Sequence, residues 1–338
     1  MKPNRTLTLS LAVFSMVILV LDTKTAFNSA LAGMDICLRV VIPSLFPFFC
    51  LSAITNDWLL GANLPFLRPI AWLCKIPKGS ETLLLLGLVG GYPVGAAGIY
   101  NAYRVGTLEK KQATRMLAFC NNAGPAFLFG MLSPVFGNIA SIWVLWGIHI
   151  LSAITVAALL PNENPSAVTV SHTPSLTLSQ AMSNSIRNIG FVCGWVLLFR
   201  IILGFCDRWF LWLLPQSVQV LFAGFLELSN GCLSLTSLSC NGLRFVYASI
   251  FLSFGGICVG MQTTSVIGSL SAKTYWLGKA VQTAVSLVYS TFAQRLLFPD
   301  DHIKLSVPVF LGVILLLSVP FMKKAVAFPK IMGYNEGN

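Results

Sequence analysis

The chain has 338 residues, of which 56% are hydrophobic and only 10% charged, and a formal net charge of +11. So apolar a composition excludes an ordinary soluble domain and reads as an all-α, polytopic membrane protein. The surplus Lys and Arg are scattered over loops, with no basic run carrying interleaved aromatics, so they point to an anionic bilayer surface and not to nucleic acid.

Lys2 and Arg5 precede the apolar run Leu7–Leu21, and Ala30-Leu31-Ala32 follows. This fits a signal peptide with a cleavage site, or an uncleaved transmembrane helix over residues 1–29. The long polar spacer Asp22 to Asn28 and the many later spans favour the helix. Asp35 and Arg39 stand one turn apart and can pair. The run 36–55 carries Pro43 and Pro47, and a basic linker with Arg68, Lys75 and Lys78 follows it.

Gly90-Gly91-Tyr92-Pro93-Val94-Gly95 then interrupts the apolar run Leu83–Ala97. Pro93 has no N–H, so the carbonyl of Val89 loses its helical partner. Gly90, Gly91 and Gly95 tolerate the angles of a break and let another helix come close. Broken backbone at membrane depth survives only inside protein or beside a polar cavity. A packed, proline-kinked helix and a binding-site break both meet that condition. If 82–103 enters and leaves from one side, Arg68–Lys78 and Arg104, Lys110, Lys111 and Arg115 all stay cytoplasmic; a full span would put the second group outside, against the positive-inside bias.

Residues 114–136 are interrupted by Asn121-Asn122-Ala123-Gly124-Pro125, 139–160 read as an apolar helix containing His149, and 161–179 form a Pro/Ser/Thr/Asn-rich linker. Gly255-Gly256-Ile257-Cys258-Val259-Gly260 repeats the glycine pattern 165 residues after the first copy. Asp35–Arg39 matches Ser183–Arg187, and Phe66-Leu67-Arg68-Pro69 matches Phe225-Leu226-Glu227-Leu228. These correspondences predict two inverted repeats with broken or re-entrant helices, 30–160 and 180–298, and a C-terminal helix and tail over 299–338. In the second half 209–228 is expected not to span fully, and Arg208, Arg244, Lys273 and Lys279 are assigned to loops. The last run, 305–321, breaks the charge pattern by leaving Lys323, Lys324 and Lys330 outside.

An ionisable group at membrane depth is a functional candidate because its burial is costly. Glu227 is the sharpest; its structural alternative is an ion pair with Arg68. Asn121, Asn122, Asn230 and Gln262 offer polar contacts beside the breaks, or cap them. The break backbone itself comprises Gly90, Gly91, Tyr92, Pro93, Gly95, Gly255, Gly256 and Gly260. Tyr92 and His149 read as core residues, and Arg39, Arg187 and Arg200 as snorkelling to the interface. The nine cysteines show no metal spacing and read as small core residues. Cys232 and Cys240 share a loop and have a disulfide open to them. With no GxxxxGK[ST], HExxH or GxSxG, no enzyme chemistry, metal or cofactor is expected.

Pro43-Ser44-Leu45-Phe46-Pro47-Phe48, the two glycine motifs, Asn121–Phe127 and Glu227-Leu228-Ser229-Asn230-Gly231 together resemble the YlbJ family of sporulation integral membrane proteins. That family carries the nucleoside-recognition, or Gate, domain shared with nucleoside transporters and with the membrane part of the ferrous-iron transporter. The resemblance covers about residues 30–300 and implies a multi-pass plasma-membrane protein of a spore-forming bacterium. The iron transporter's GTPase portion has no counterpart here. The expected role is transporter-like handling of a small polar solute, and the alternative is a non-transporting membrane scaffold needed for spore formation; the expected partners are the lipid bilayer, the solute, and further copies of the chain or sporulation membrane proteins.

Overall fold

The computed structural model describes residues 5–62, 64–161 and 176–301, and every element among them is helical. The first half contains α1 (Arg5–Leu21), α2 (Thr23–Ile36) and α3 (Ile42–Leu59), then α4 (Arg68–Leu73), α5 (Glu81–Val89), α6 (Val94–Arg104), α7 (Lys110–Met116), α8 (Pro125–Phe136) and α9 (Ile139–Leu159). The second contains α10 (Leu178–Trp209), α11 (Gln216–Leu226), α12 (Leu228–Ser234), α13 (Asn241–Phe254), α14 (Gly256–Val266) and α15 (Ala272–Leu297). Among the described residues, four segments are apolar and long enough to cross a bilayer: Thr23–Leu59, Ile139–Leu159, Leu178–Trp209 and Asn241–Val266. At a rise of about 1.5 Å per residue, each covers the roughly 30 Å hydrocarbon layer. Outward-facing Leu38, Leu51, Trp143 and Leu198 offer apolar surface to lipid.

Local chemistry fixes where these helices start. Asp22 accepts from the Thr25 amide, Asn138 from Ala140, and Thr177 and Gln180 form a reciprocal capping box at the head of α10. Ahead of Pro43 the helix loosens into a π-helical stretch, Cys37–Val41, that joins α2 to α3. The expected division at 29/30 falls inside α2, because the spacer after Asp22 is helical and the chain turns at Asp22 instead.

The rod α2–α3 lies antiparallel to α10. Asp57 near its end accepts from the Leu176 amide at 2.8 Å, Cys37 Sγ donates to the Cys193 carbonyl at 3.8 Å, and Gly33 packs on Leu197 and Arg200. Two short hairpins enter the resulting bundle. In the first, α5 and α6 fold back so that Gly95 meets Gly87 and Gly98 meets Leu83. In the second, α11 and α12 fold back with Gly231 on Gly224.

The first hairpin starts at the basic end of the molecule. There Arg68 pairs with Glu81, and Arg115 donates to the carbonyls of Cys74 (2.9 Å), Ala157 (2.7 Å) and Pro161 (3.1 Å). The two basic segments are thus held together at one end. The second hairpin follows the far end of α10 and enters from the opposite side.

Two other segments unwind at mid-length. Between α7 and α8, residues 117–124 leave the helix; between α13 and α14, Gly255 and Gly256 both take positive φ, +82° and +78°, which residues bearing a Cβ rarely adopt.

Several expectations change. The two glycine motifs are not like elements: Gly90–Pro93 forms a hairpin tip, whereas Gly255-Gly256 unwinds the segment Asn241–Val266. Arg68 heads α4 and binds Glu81, so it neither matches nor pairs with Glu227. Lys279 lies wholly buried within α15 rather than in a loop. Cys232 and Cys240 are free thiols, as are the other cysteines. Most of the linker, 162–175, and the whole run 305–321 lie outside the described residues.

Candidate functional site

All four irregular points meet near the centre. Gly124 packs against the Val89 carbonyl and the Gly91 amide, joining the 117–124 segment to the first hairpin tip. Gly256 packs against the Leu228 amide and Glu227 Cα, joining the α13–α14 break to the second tip. Tyr92 bridges the two pairs: its hydroxyl donates to the Leu252 carbonyl at 2.9 Å, and its ring lies over Gly255. The Tyr92–Pro93 peptide is cis. Close approach demands the glycines, since a Cβ at Gly95 or Gly87 would run into the Cys120 backbone.

Where the pairs meet they leave a small cleft of about 30 Å³, room for about two waters. Its polar wall is Tyr92, Glu227, Ser229 and Gln262, and its apolar wall includes Val41, Leu45, Phe127 and Val192. Glu227 is 1% exposed and forms the N-cap of α12. One carboxylate oxygen accepts from the Ser229 amide at 3.0 Å; the other accepts from the Asn230 amide and from Asn230 Nδ2, each at 2.7 Å. Backbone N–H groups and the helix N-terminus thereby satisfy the carboxyl, and among the described residues no cation pairs with it. A carboxylate has roughly four lone-pair positions, so one is left beside the cleft.

The remaining predicted residues divide by position. Gln262 lines the cleft and donates to Cys258 Sγ at 3.3 Å. Asn230 sits behind Glu227. Asn121 and Asn122 are wholly buried behind the cleft, and each is hydrogen-bonded through both its oxygen and its nitrogen. Asn121 accepts from the Ala96 amide at 3.3 Å and donates to Thr263 at 3.0 Å, tying the first hairpin to α14. Gly260 packs on Trp276, away from the cleft wall.

The largest omission of the sequence reading is Lys279. Its Nζ donates to Gln282 Oε1 (2.8 Å), Tyr92 Oη (3.2 Å) and Asn122 Oδ1 (3.3 Å), and lies 5.1 Å from the Tyr92 ring centre. His149 joins the same network, its Nε2 accepting from the Ala123 amide at 3.0 Å. The signal was present in sequence: Tyr275, Lys279, Gln282, Ser286 and Ser290 recur at helical spacing on α15. A polar stripe along one face of a long helix in a membrane protein faces protein, not lipid.

Antiparallel crossing helices, two opposed hairpins and a buried polar cleft at their tips define a polytopic, all-helical integral membrane protein. The chain is similar to the sporulation integral membrane protein YlbJ of Bacillus subtilis (strain 168), at 23% identity over 89% of this chain and 85% of the relative. This near full-length likeness supports the YlbJ family. No protein-family model and no solved structure matches the chain.

Proposed function

We propose that this is a transporter-like membrane protein that passes a small polar solute and acts in sporulation. One observation carries the reading: two hairpins entering from opposite ends bring their tips to one cleft, beside a buried carboxylate. Element order supports an inverted repeat with a new register. The hairpin α5–α6 corresponds to α11–α12, and the broken segment α7–α8 to α13–α14. Broken helices meeting at the midplane are the usual construction of an alternating-access site. Glu227 is an acceptor for solute hydroxyls, which suits neutral polyhydroxylated solutes such as nucleosides. Rocking of one half against the other opens the cleft, whose closed volume is far below the several hundred Å³ of a small-molecule site. The role in spore formation rests on the likeness to YlbJ.

A second reading, a non-transporting scaffold for other sporulation membrane proteins, is favoured by the same small volume and by how fully the asparagines are engaged. Proteoliposome uptake separates the two. Transport predicts flux for at least one nucleoside or similar metabolite, abolished by Glu227→Gln; no flux across such a panel, with both proteins folded, leaves the scaffold.

A further inference from the structure

We infer that the polar joint behind the cleft is a cation site, which the chain fills with its own primary ammonium, Lys279. The residue is 0% exposed, and among the described residues no carboxylate pairs with it. The polarity of its cage is fixed from outside. Tyr92 gives its hydroxyl proton to the Leu252 carbonyl, 2.9 Å away, and so turns a lone pair to Nζ. Asn122 Nδ2 donates to the carbonyls of Gly87 (2.9 Å) and Phe119 (2.7 Å), which points Oδ1 at Nζ. Gln282 Nε2 reaches Asn122 Oδ1 (2.9 Å) and the His149 carbonyl (3.3 Å), so Oε1 faces Nζ.

Three anchored dipoles therefore present oxygens and no donor. An ammonium has three protons to give them, whereas a neutral amine has only two. The Tyr92 face adds attraction for a full positive charge. The cage draws on the α5–α6 tip, the unwound 117–124 segment and α15, so the charge holds all three together. This holds whether or not a solute crosses the protein.

The test is chemical rescue on the purified full chain in detergent. Lys279→Ala deletes Cγ to Nζ, and n-propylammonium returns those atoms. The variant should melt below the wild type and recover most of the loss in n-propylammonium chloride. It should not recover in 1-propanol, which lacks the charge, or in tetramethylammonium chloride, which lacks N–H donors. Unchanged melting of the variant, equal recovery in 1-propanol, or no selective recovery would overturn the inference. Nitrogen-15 NMR of wild-type protein labelled at lysine decides independently of whether the variant folds. The account expects one slowly exchanging Nζ bearing three protons; an amine signal, or no protected signal, contradicts it.

Discussion

Two ionisable side chains lie buried at the centre of this molecule, and they are held in opposite ways. Glu227 is satisfied within its own hairpin, by groups two and three residues away. Lys279 is satisfied partly by Tyr92 and Asn122, which are 187 and 157 residues distant in sequence. A charge stabilised locally can face a cavity, because nothing else in the fold depends on it. A charge stabilised by distant partners is a fastener, and altering it loosens several elements at once. On the readings proposed above, the Glu227 carboxyl is the group open to a ligand, and Lys279 maintains the frame around it.

Substitutions probe this contrast from the largest effect downward. Gly95→Leu should prevent folding altogether, because its side chain would have to occupy the Cys120 backbone; loss of the monodisperse size-exclusion peak is the expected result. Asn122→Leu strips partners from Lys279, Gln282 and two carbonyls, and should cost about 3 kcal/mol or more, read by denaturant unfolding in detergent. If it costs less than Glu227→Gln, the assignment of fastener and free charge is reversed. Glu227→Gln keeps a capping oxygen and should cost only about 1 kcal/mol while abolishing solute flux. Arg39→Ala breaks an exposed pair with Asp35 and should leave melting temperature unchanged.

Much of this fold was legible because its signals are local. Proline and glycine mark where Leu83–Ala97 and 114–136 break, and the clustering of basic residues indicates that 82–103 returns to the side it came from. The burial of Glu227 was legible from its place at the end of an apolar run. That the two glycine motifs form unlike elements was not legible, since matching glycines do not distinguish a hairpin tip from an unwound rod. Only chain direction on either side of the break does that, and it is a tertiary property. Lys279 was misread because charge count suggested a loop, while helical spacing along Tyr275, Gln282 and Ser286 pointed to a buried face. Its partners lie too far along the chain for any local pattern to connect them.

The most direct measurement of the central claim is the two-sided accessibility of the cleft. In a cysteine-free version of the chain, Ser229→Cys places one thiol on the cleft wall. Membrane-impermeant maleimide is then applied to oriented vesicles from each face separately. An alternating-access protein predicts labelling from either face, with the rate from each altered by a bound solute. Labelling confined to one face, or absent from both, would contradict it.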